Sequence, residues 1–80
     1  KVLTDDEYRR YLNLKLQEEL DEYLDSENVE ELADLVEVIY ALIKCQGLTI
    51  KDFEEIRLRK ADKRGAFDKR LLLKKVIKND

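Results

Sequence analysis

Apolar residues recur at helical spacing along the first half of this chain, and that periodicity constrains it to fold as helices. Thr4 and Glu7 have the spacing of a capping box, in which each side chain bonds the backbone N–H of the other residue. They predict a first helix that begins after Thr4 and runs to about Leu24. Its apolar residues are Tyr8, Tyr11, Leu12, Leu16, Leu20, Tyr23 and Leu24.

A second helix is predicted by the next pair of start and stop signals. Residues 25–28 are predicted to form a turn. Asn28, the last residue of this turn, and Glu31 form a second cap-like pair. We expect the helix to run from there to about Gln46. Gly47 then acts as its C-terminal stop, because glycine adopts the left-handed conformation that ends helices.

A third helix is predicted after a short connection. Thr49 lies three residues before Asp52 and is expected to cap this helix, which ends near Gly65. Beyond it come Phe67 and the leucine run at 71–73. That run is too short to distinguish a short helix from an extended arm or an edge strand.

The turn between the first two helices is short, so we expect them to pack as an antiparallel hairpin. The predicted fold class is all-α, with this hairpin plus a third helix in a single domain spanning residues 1–80. Such a small domain buries little core, and its single cysteine, Cys45, excludes an intrachain disulfide. We therefore expect a homo-oligomer, dimer or tetramer, in which a four-helix-type bundle is completed between subunits.

Composition narrows the class of protein further. Charged and hydrophobic residues each make up 44% of the chain, which is typical of amphipathic helices and not of disorder. No apolar run approaches the length of a membrane span, so no membrane association is expected. A lone cysteine fits a reducing compartment, and we expect the cytoplasm. The sequence begins with Lys1 and not with Met, so we expect the natural N-terminus to be truncated.

Charge is distributed unevenly along the chain. Residues 1–55 carry a net charge of −10, whereas residues 56–80 carry +7. Three interpretations remain open: the basic end binds nucleic acid, neutralises the acidic helices within an oligomer, or meets an anionic substrate. Nucleic-acid binding is the least favoured, since no aromatic interleaving or reader motif accompanies the basic residues.

Two acidic motifs stand out because their carboxylates fall where apolar residues are expected. In the first, Glu19 and Glu22 are spaced i, i+3 and lie on one side of helix 1. At about 100° per residue, Glu19 projects inside the apolar arc between Tyr8 and Leu12. Glu18 projects well outside that arc.

The second motif consists of Glu31 and Asp34 on helix 2. Glu31 projects into the middle of the apolar arc, and Asp34 lies at its edge. Glu30 and Glu37 fall on the opposite, polar side. The arc itself is formed by Leu32, Leu35, Val38, Ile39, Leu42, Ile43 and Cys45.

Four carboxylates that converge across the hairpin repel one another unless a cation lies among them. An oxygen-only cluster of this kind suits Mg²⁺, with Mn²⁺ as a second candidate. We therefore predict a metal site formed by Glu19, Glu22, Glu31 and Asp34. Two other interpretations stay open: Glu31 serves only as the capping residue of helix 2, or Lys15 pairs with the acids of helix 1.

Three segments together resemble a known family. They are residues 15–22 (KLQEELDE), 30–40 (EELADLVEVIY) and 60–67 (KADKRGAF). The first two are similar to the ExxE and ExxD motifs of the MazG-like all-α nucleoside triphosphate pyrophosphohydrolase superfamily. The third resembles a Lys/Arg-Arg-Gly-Gly-Phe stretch of its small phosphoribosyl-ATP pyrophosphohydrolase-like members, with Ala66 in place of the second glycine. The resemblance covers about residues 12–73. A basic segment that precedes helix 1 in small relatives is absent from this sequence.

The resemblance implies Mg²⁺-dependent cleavage of a (d)NTP between its α- and β-phosphates, as in house-cleaning enzymes. It carries the metal ligands onto Glu19, Glu22, Glu31 and Asp34, and we expect Glu19, which projects deepest, to be the general base. Lys15, Lys60, Lys63 and Arg64 are candidate phosphate-binding residues.

Several alternatives remain beside that function. They are phosphoribosyl-ATP pyrophosphohydrolase of histidine biosynthesis and a non-catalytic helical oligomerisation module.

The tyrosines Tyr8, Tyr11 and Tyr40 stack on a base or, more simply, serve in packing. Cys45 has no histidine with which to form a nucleophilic pair, so we expect it to be a small buried apolar residue.

Overall fold

The computed structural model describes residues 2–65 and 67, and over this part of the chain it contains three helices and no strand. The helices are α1 (Asp5–Ser26), α2 (Val29–Cys45) and α3 (Ile50–Arg64). The all-α prediction is confirmed. The leucine run at 71–73 and the position of Ala66 lie outside the described residues.

The start of α1 follows the capping box predicted from the sequence. The Oγ1 atom of Thr4 accepts a hydrogen bond from the Glu7 N–H at 3.2 Å, and the Thr4 N–H donates to Oε1 of Glu7 at 2.9 Å. Acidic residues at 5–7 place negative charge at the positive end of the helix dipole. These two bonds satisfy N–H groups that would otherwise lack partners in the first turn.

The end of α1 lies two residues beyond the predicted Leu24. Its C-cap is Glu27, which adopts a left-handed conformation with φ of 57° and donates its N–H to the carbonyl of Tyr23 at 2.6 Å. That bond satisfies one of the last carbonyls of α1 and reverses the chain. The turn between the helices is therefore shorter than the four residues predicted.

The start of α2 differs from the prediction in the hydrogen bonds that its N-cap makes. Asn28 is the N-cap, but its side chain makes no capping hydrogen bond. Its backbone N–H donates instead to Oγ of Ser26 at 3.2 Å. The predicted capping pair of Asn28 and Glu31 is wrong, because the Ser26 hydroxyl has taken the N–H that Glu31 would have accepted.

The end of α2 is a Schellman motif centred on Gly47. The Gly47 N–H donates to the carbonyl of Lys44 at 3.0 Å, and the Leu48 N–H donates to that of Ile43 at 3.3 Å. Gly47 has φ of 79°, which glycine adopts without steric cost. The predicted stop at this residue is confirmed.

The chain divides into two compact units, Lys1–Ile50 and Lys51–Asp80. The first contains α1 and α2, which pack against each other as the antiparallel hairpin predicted. The second contains α3 from Lys51 onward. Gly65, with φ of 84°, follows the last residue of α3 as expected, and within that helix Arg57 and Glu54 form an ion pair at 2.7 Å.

The hairpin has a small apolar core. Leu12 and Ile43 are its two buried apolar residues among those described. Leu20, Leu32 and Val36 remain 38–39% exposed. Tyr8, Tyr11 and Leu24 are exposed as well. Six further apolar residues of the arcs are half-buried: Leu16, Tyr23, Leu35, Val38, Ile39 and Leu42. Since burying a leucine or isoleucine contributes about 1.5–3 kcal/mol, much of this potential stabilisation is unused in one chain.

None of the described helices combines the length and apolar character that crossing a membrane requires.

Candidate metal centre

The centre of the candidate site is Glu19, a carboxylate buried in the middle of α1. Its side chain lies in the seam between α1 and α2, and the residue is only 7% exposed. Oε1 lies 3.4 Å from Nζ of Lys15, whereas Oε2 is buried without a hydrogen-bond partner. Burying an ionised carboxylate with an unpartnered oxygen is costly. The sequence-based prediction that Glu19 projects into the apolar arc is confirmed.

Two further carboxylates reach Glu19 from α2. Glu31 is half-buried and Asp34 is exposed, and one oxygen of each of these three residues lies within 4.8 Å of the others. Two oxygens bound to the same Mg²⁺ are at most about 4.2 Å apart, twice the metal–oxygen distance. Small side-chain movements would therefore suffice to place all three around a single cation.

A second group of carboxylates lies along α1 itself. Glu18, Glu19 and Glu22 also bring one oxygen each within 4.8 Å of one another. Glu19 thus belongs to both groups. Glu18 was not predicted from the sequence, because it projects away from the apolar arc. Its i, i+3 spacing from Lys15 was the feature that indicates an interaction with this site.

Glu22 experiences the charge of this cluster most clearly. The negative charge of Glu19 raises the pKa of Glu22, and partial desolvation, a hydrogen bond to Glu19, and the charges of Glu31 and Glu18 raise it further. The hydrogen bond forms when Glu22 is protonated and donates to Glu19, so it does not satisfy Glu19 while both are ionised. The influence of Glu31 on Glu22 shows that the carboxylates of α1 and α2 share one electrostatic environment.

Lys15 provides the positive charge at this end of the site. Its Nζ lies 2.9 Å from Oε1 of Glu18 and 3.4 Å from Oε1 of Glu19. The hydrogen bond to Glu18 is the main reason that the pKa of Lys15 is raised. Pairing with Glu19 was one of the alternatives expected from the sequence. Contact between Lys15 and a phosphate stays a prediction.

The alternative role of Glu31 as a capping residue does not fit the structure. The N–H group that it would accept belongs to Asn28, which donates to Ser26. Glu31 instead extends toward Glu19. The two acids predicted to face solvent, Glu30 and Glu37, are exposed.

The remaining phosphate-binding candidates lie on the last two turns of α3. Lys60, Lys63 and Arg64 are all exposed there, in the second unit of the chain. Their spacing of three and four residues places them along one side of that helix. Their contact with a phosphate stays a prediction.

Two other sequence-based expectations have different outcomes. Tyr8 and Tyr11 are 42% and 49% exposed and stack on each other with ring centroids 6.4 Å apart, so each is partly covered within one chain. Stacking of these rings on a base stays a prediction. Cys45 was expected to be buried, and that prediction is wrong: its thiol is exposed. As the last residue of α2 it lies at the end of the hairpin where α1 begins, and there it lines a pocket with Asp5, Asp6 and Arg9.

Comparison with family models, curated proteins and solved structures finds no match to this chain. The resemblance to the MazG-like superfamily therefore stays a prediction carried by the three segments described above.

Proposed function

We propose that this protein is a Mg²⁺-dependent nucleotide pyrophosphohydrolase that converts a (d)NTP to its monophosphate and pyrophosphate. One observation carries the proposal: Glu19 is buried, one of its oxygens has no partner, and Glu31 and Asp34 approach it from the facing helix. A bound divalent cation removes both the repulsion and the missing interaction. Mn²⁺ satisfies the same oxygen ligands and is the second candidate ion.

In this proposal Glu19, Glu22, Glu31 and Asp34 hold the cation. The ion supplies neutralisation of the charge that develops on the phosphate oxygens. Glu19 also accepts the proton of the attacking water. The water oxygen would form a bond to one of the two phosphorus atoms. The bond from that phosphorus to the oxygen that bridges the α- and β-phosphates would break, and the bridging oxygen would leave with the electron pair.

The basic residues complete the proposed site as phosphate ligands. Lys15 already lies beside Glu19 and would exchange its bond with Glu18 for one with a phosphate oxygen. Lys60, Lys63 and Arg64 of α3 stay candidate phosphate ligands, as the family resemblance implies. The proposal places the enzyme in the cytoplasm, where an exposed thiol such as that of Cys45 stays reduced.

Self-association is a second part of the proposal. Leu20, Leu32 and Val36 project to the same side of the hairpin and are more than one-third exposed in a single chain. We propose that a second copy covers this side and completes a four-helix core, giving a homodimer or a homotetramer. Burial of these residues would recover stabilisation that one hairpin lacks.

The decisive experiment measures pyrophosphate release from a panel of NTPs and dNTPs with Mg²⁺, together with Mg²⁺ binding by calorimetry. Phosphoribosyl-ATP belongs in the same panel, because it alone distinguishes the histidine-pathway enzyme. Glu19→Gln should abolish both signals. The matched control is Glu30→Gln, which removes an exposed carboxylate from the neighbouring helix. No turnover of any substrate combined with no metal binding rejects the enzyme.

One observation favours the non-catalytic module as the second candidate. The Lys15 ammonium already gives Glu19 a cationic neighbour at 3.4 Å, so the seam holds positive charge without any metal. In a module, Mg²⁺ would not change the melting temperature. In an enzyme, saturating Mg²⁺ should raise it, since the ion binds only the folded chain.

A further inference from the structure

A second surface of the hairpin lies away from the acidic cluster. Glu37, Tyr40, Ala41 and Lys44 of α2, together with Tyr8 and Cys45, line a groove of about 460 Å³. Tyr8 precedes Glu19 by eleven residues on α1, which is about 16 Å along the helix axis. The groove therefore shares no residue with the proposed metal site, and its nearest lining residue, Glu37, follows the proposed ligand Asp34 by three residues on α2.

The charges of this surface have no partners among the residues that the structure describes. Glu37 and Lys44 are both exposed, and neither forms an ion pair or a side-chain hydrogen bond with another of the described residues. They are seven residues apart, so they lie on the same side of α2 but about 10.5 Å apart along its axis, too far to pair with each other. Of the residues between them in the sequence, two line the groove: the large residue Tyr40 and the small residue Ala41.

The order of these four residues along α2 is complementary to the order in a second α2 that runs in the opposite direction. If a second α2 packs antiparallel, with the two-fold axis between Tyr40 and Ala41, Glu37 of each copy faces Lys44 of the other. Tyr40 of each copy then faces Ala41 of the other copy, so each tyrosine ring packs where the opposite side chain is small. Two-fold symmetry produces every one of these contacts twice.

We propose that this surface, the α2 face formed by Glu37, Tyr40, Ala41 and Lys44, is where a second copy of the chain docks. Two charge pairs fix the antiparallel register, and two tyrosine rings supply the apolar contact. Tyr8 and Tyr11, stacked and exposed beside the groove, extend the contact area. The inference is independent of the proposed catalysis. This surface contains none of Leu20, Leu32 and Val36, and it adjoins Val36 where Tyr40 follows that residue at i, i+4 on α2.

The test is a charge exchange across the α2 face of the full chain. Glu37→Lys and Lys44→Glu are made singly and together, and molecular mass is measured by light scattering over a concentration series at low salt. Glu27→Lys, at the exposed turn, is the control with the same change in net charge as Glu37→Lys. Circular dichroism checks that each variant is folded.

Each single reversal should place like charges opposite each other at two positions and raise the dissociation constant about tenfold or more. At concentrations where the wild type is associated, the single variants should have half its mass. The double variant should regain the wild-type mass, because both pairs are restored with opposite polarity. Glu27→Lys should behave as the wild type.

Three results would overturn the proposal: a wild type that is monomeric throughout, single variants that keep the full mass, or a folded double variant that does not regain it. Mg²⁺ binding measured on the wild type reports on the acidic cluster independently of the charge exchange. A failure of the α2 face is therefore separable from a failure of the proposed enzyme.

Discussion

Nζ of Lys15 lies 3.4 Å from one carboxylate oxygen of Glu19, while the other oxygen of that buried carboxylate has no partner. The two residues are one helical turn apart on α1, so the contact is set by the sequence spacing itself. Lys15 thereby offsets part of the repulsion that Glu19 experiences from Glu22 and Glu31. The cluster remains unsatisfied on the side that faces α2.

Replacing Lys15 with Met should strengthen Mg²⁺ binding in the absence of substrate. The ammonium repels a cation that binds Glu19, so removing it should lower the dissociation constant of Mg²⁺. Calorimetry measures this change. Arg9→Met, which removes an exposed i, i+3 ion pair of Asp6 elsewhere on α1, is the matched control. Unchanged or weakened metal binding would contradict the competition between Lys15 and the ion.

Glu19→Gln should stabilise the metal-free protein and remove its response to Mg²⁺. A neutral amide relieves the repulsion from Glu22 and Glu31 and can donate to either carboxylate, which should raise the free energy of unfolding by about 1–3 kcal/mol. Wild-type protein at a Mg²⁺ concentration of about 100 times the dissociation constant should instead gain about 2.7 kcal/mol. Thermal melts with and without Mg²⁺ compare the two, with Glu30→Gln as the control. Equal melting temperatures of the wild type in both conditions would refute the metal site.

The pH dependence of the metal-free protein should reflect the raised pKa of Glu22, whose main cause is the charge of Glu19. As pH rises above the ordinary glutamate pKa, the unfolded chain releases this proton before the folded chain does. Stability should therefore fall until the raised folded pKa is passed, and then level off. Urea unfolding at several pH values measures this slope. Glu22→Gln should flatten it, whereas Glu30→Gln should not.

Local chain geometry was predictable from the sequence where one residue type dominates the physics. Thr4 with Glu7, and Gly47, set their helix ends as expected because a capping box and a left-handed glycine depend on neighbouring residues only. The cap at Asn28 was not predictable, since two side chains compete for one N–H. Cys45 is exposed although its position on the helical wheel predicts burial, because the wheel does not show which part of the facing helix lies opposite it.

The acidic cluster was predictable from periodicity, but its details were not. An apolar arc that contains Glu19 indicates burial from the sequence alone. Spacing cannot show which oxygen remains unpartnered, because that depends on the positions of side chains on the facing helix. The participation of Glu18 arises in the same way, through a rotamer that brings its oxygen near those of Glu19 and Glu22.

Glu27→Gly should stabilise the hairpin. Glu27 has φ of 57°, a conformation that costs a residue with a side chain about 1–2 kcal/mol and glycine very little. The substitution also removes a negative charge from the C-terminal end of α1, where the helix dipole disfavours it. Urea unfolding should show a gain of about 1 kcal/mol after the larger backbone entropy of glycine is included. Glu30→Gly, inside α2, should destabilise; if both variants lose stability, the left-handed turn is not a source of strain.

Leu32→Lys should disrupt the proposed four-helix core. Leu32 is 39% exposed in one chain and projects to the same side as Leu20 and Val36, so a second copy that packs there would bury it. A charged side chain at such an interface is costly, so light scattering should show a lower mass and the melting temperature should depend less steeply on protein concentration. The matched control is Leu14→Lys, at a leucine that is 73% exposed on another side of α1. A folded Leu32→Lys protein with the mass of the wild type would place the subunit contact elsewhere, and the charge exchange at Glu37 and Lys44 would then report whether the α2 face alone accounts for it.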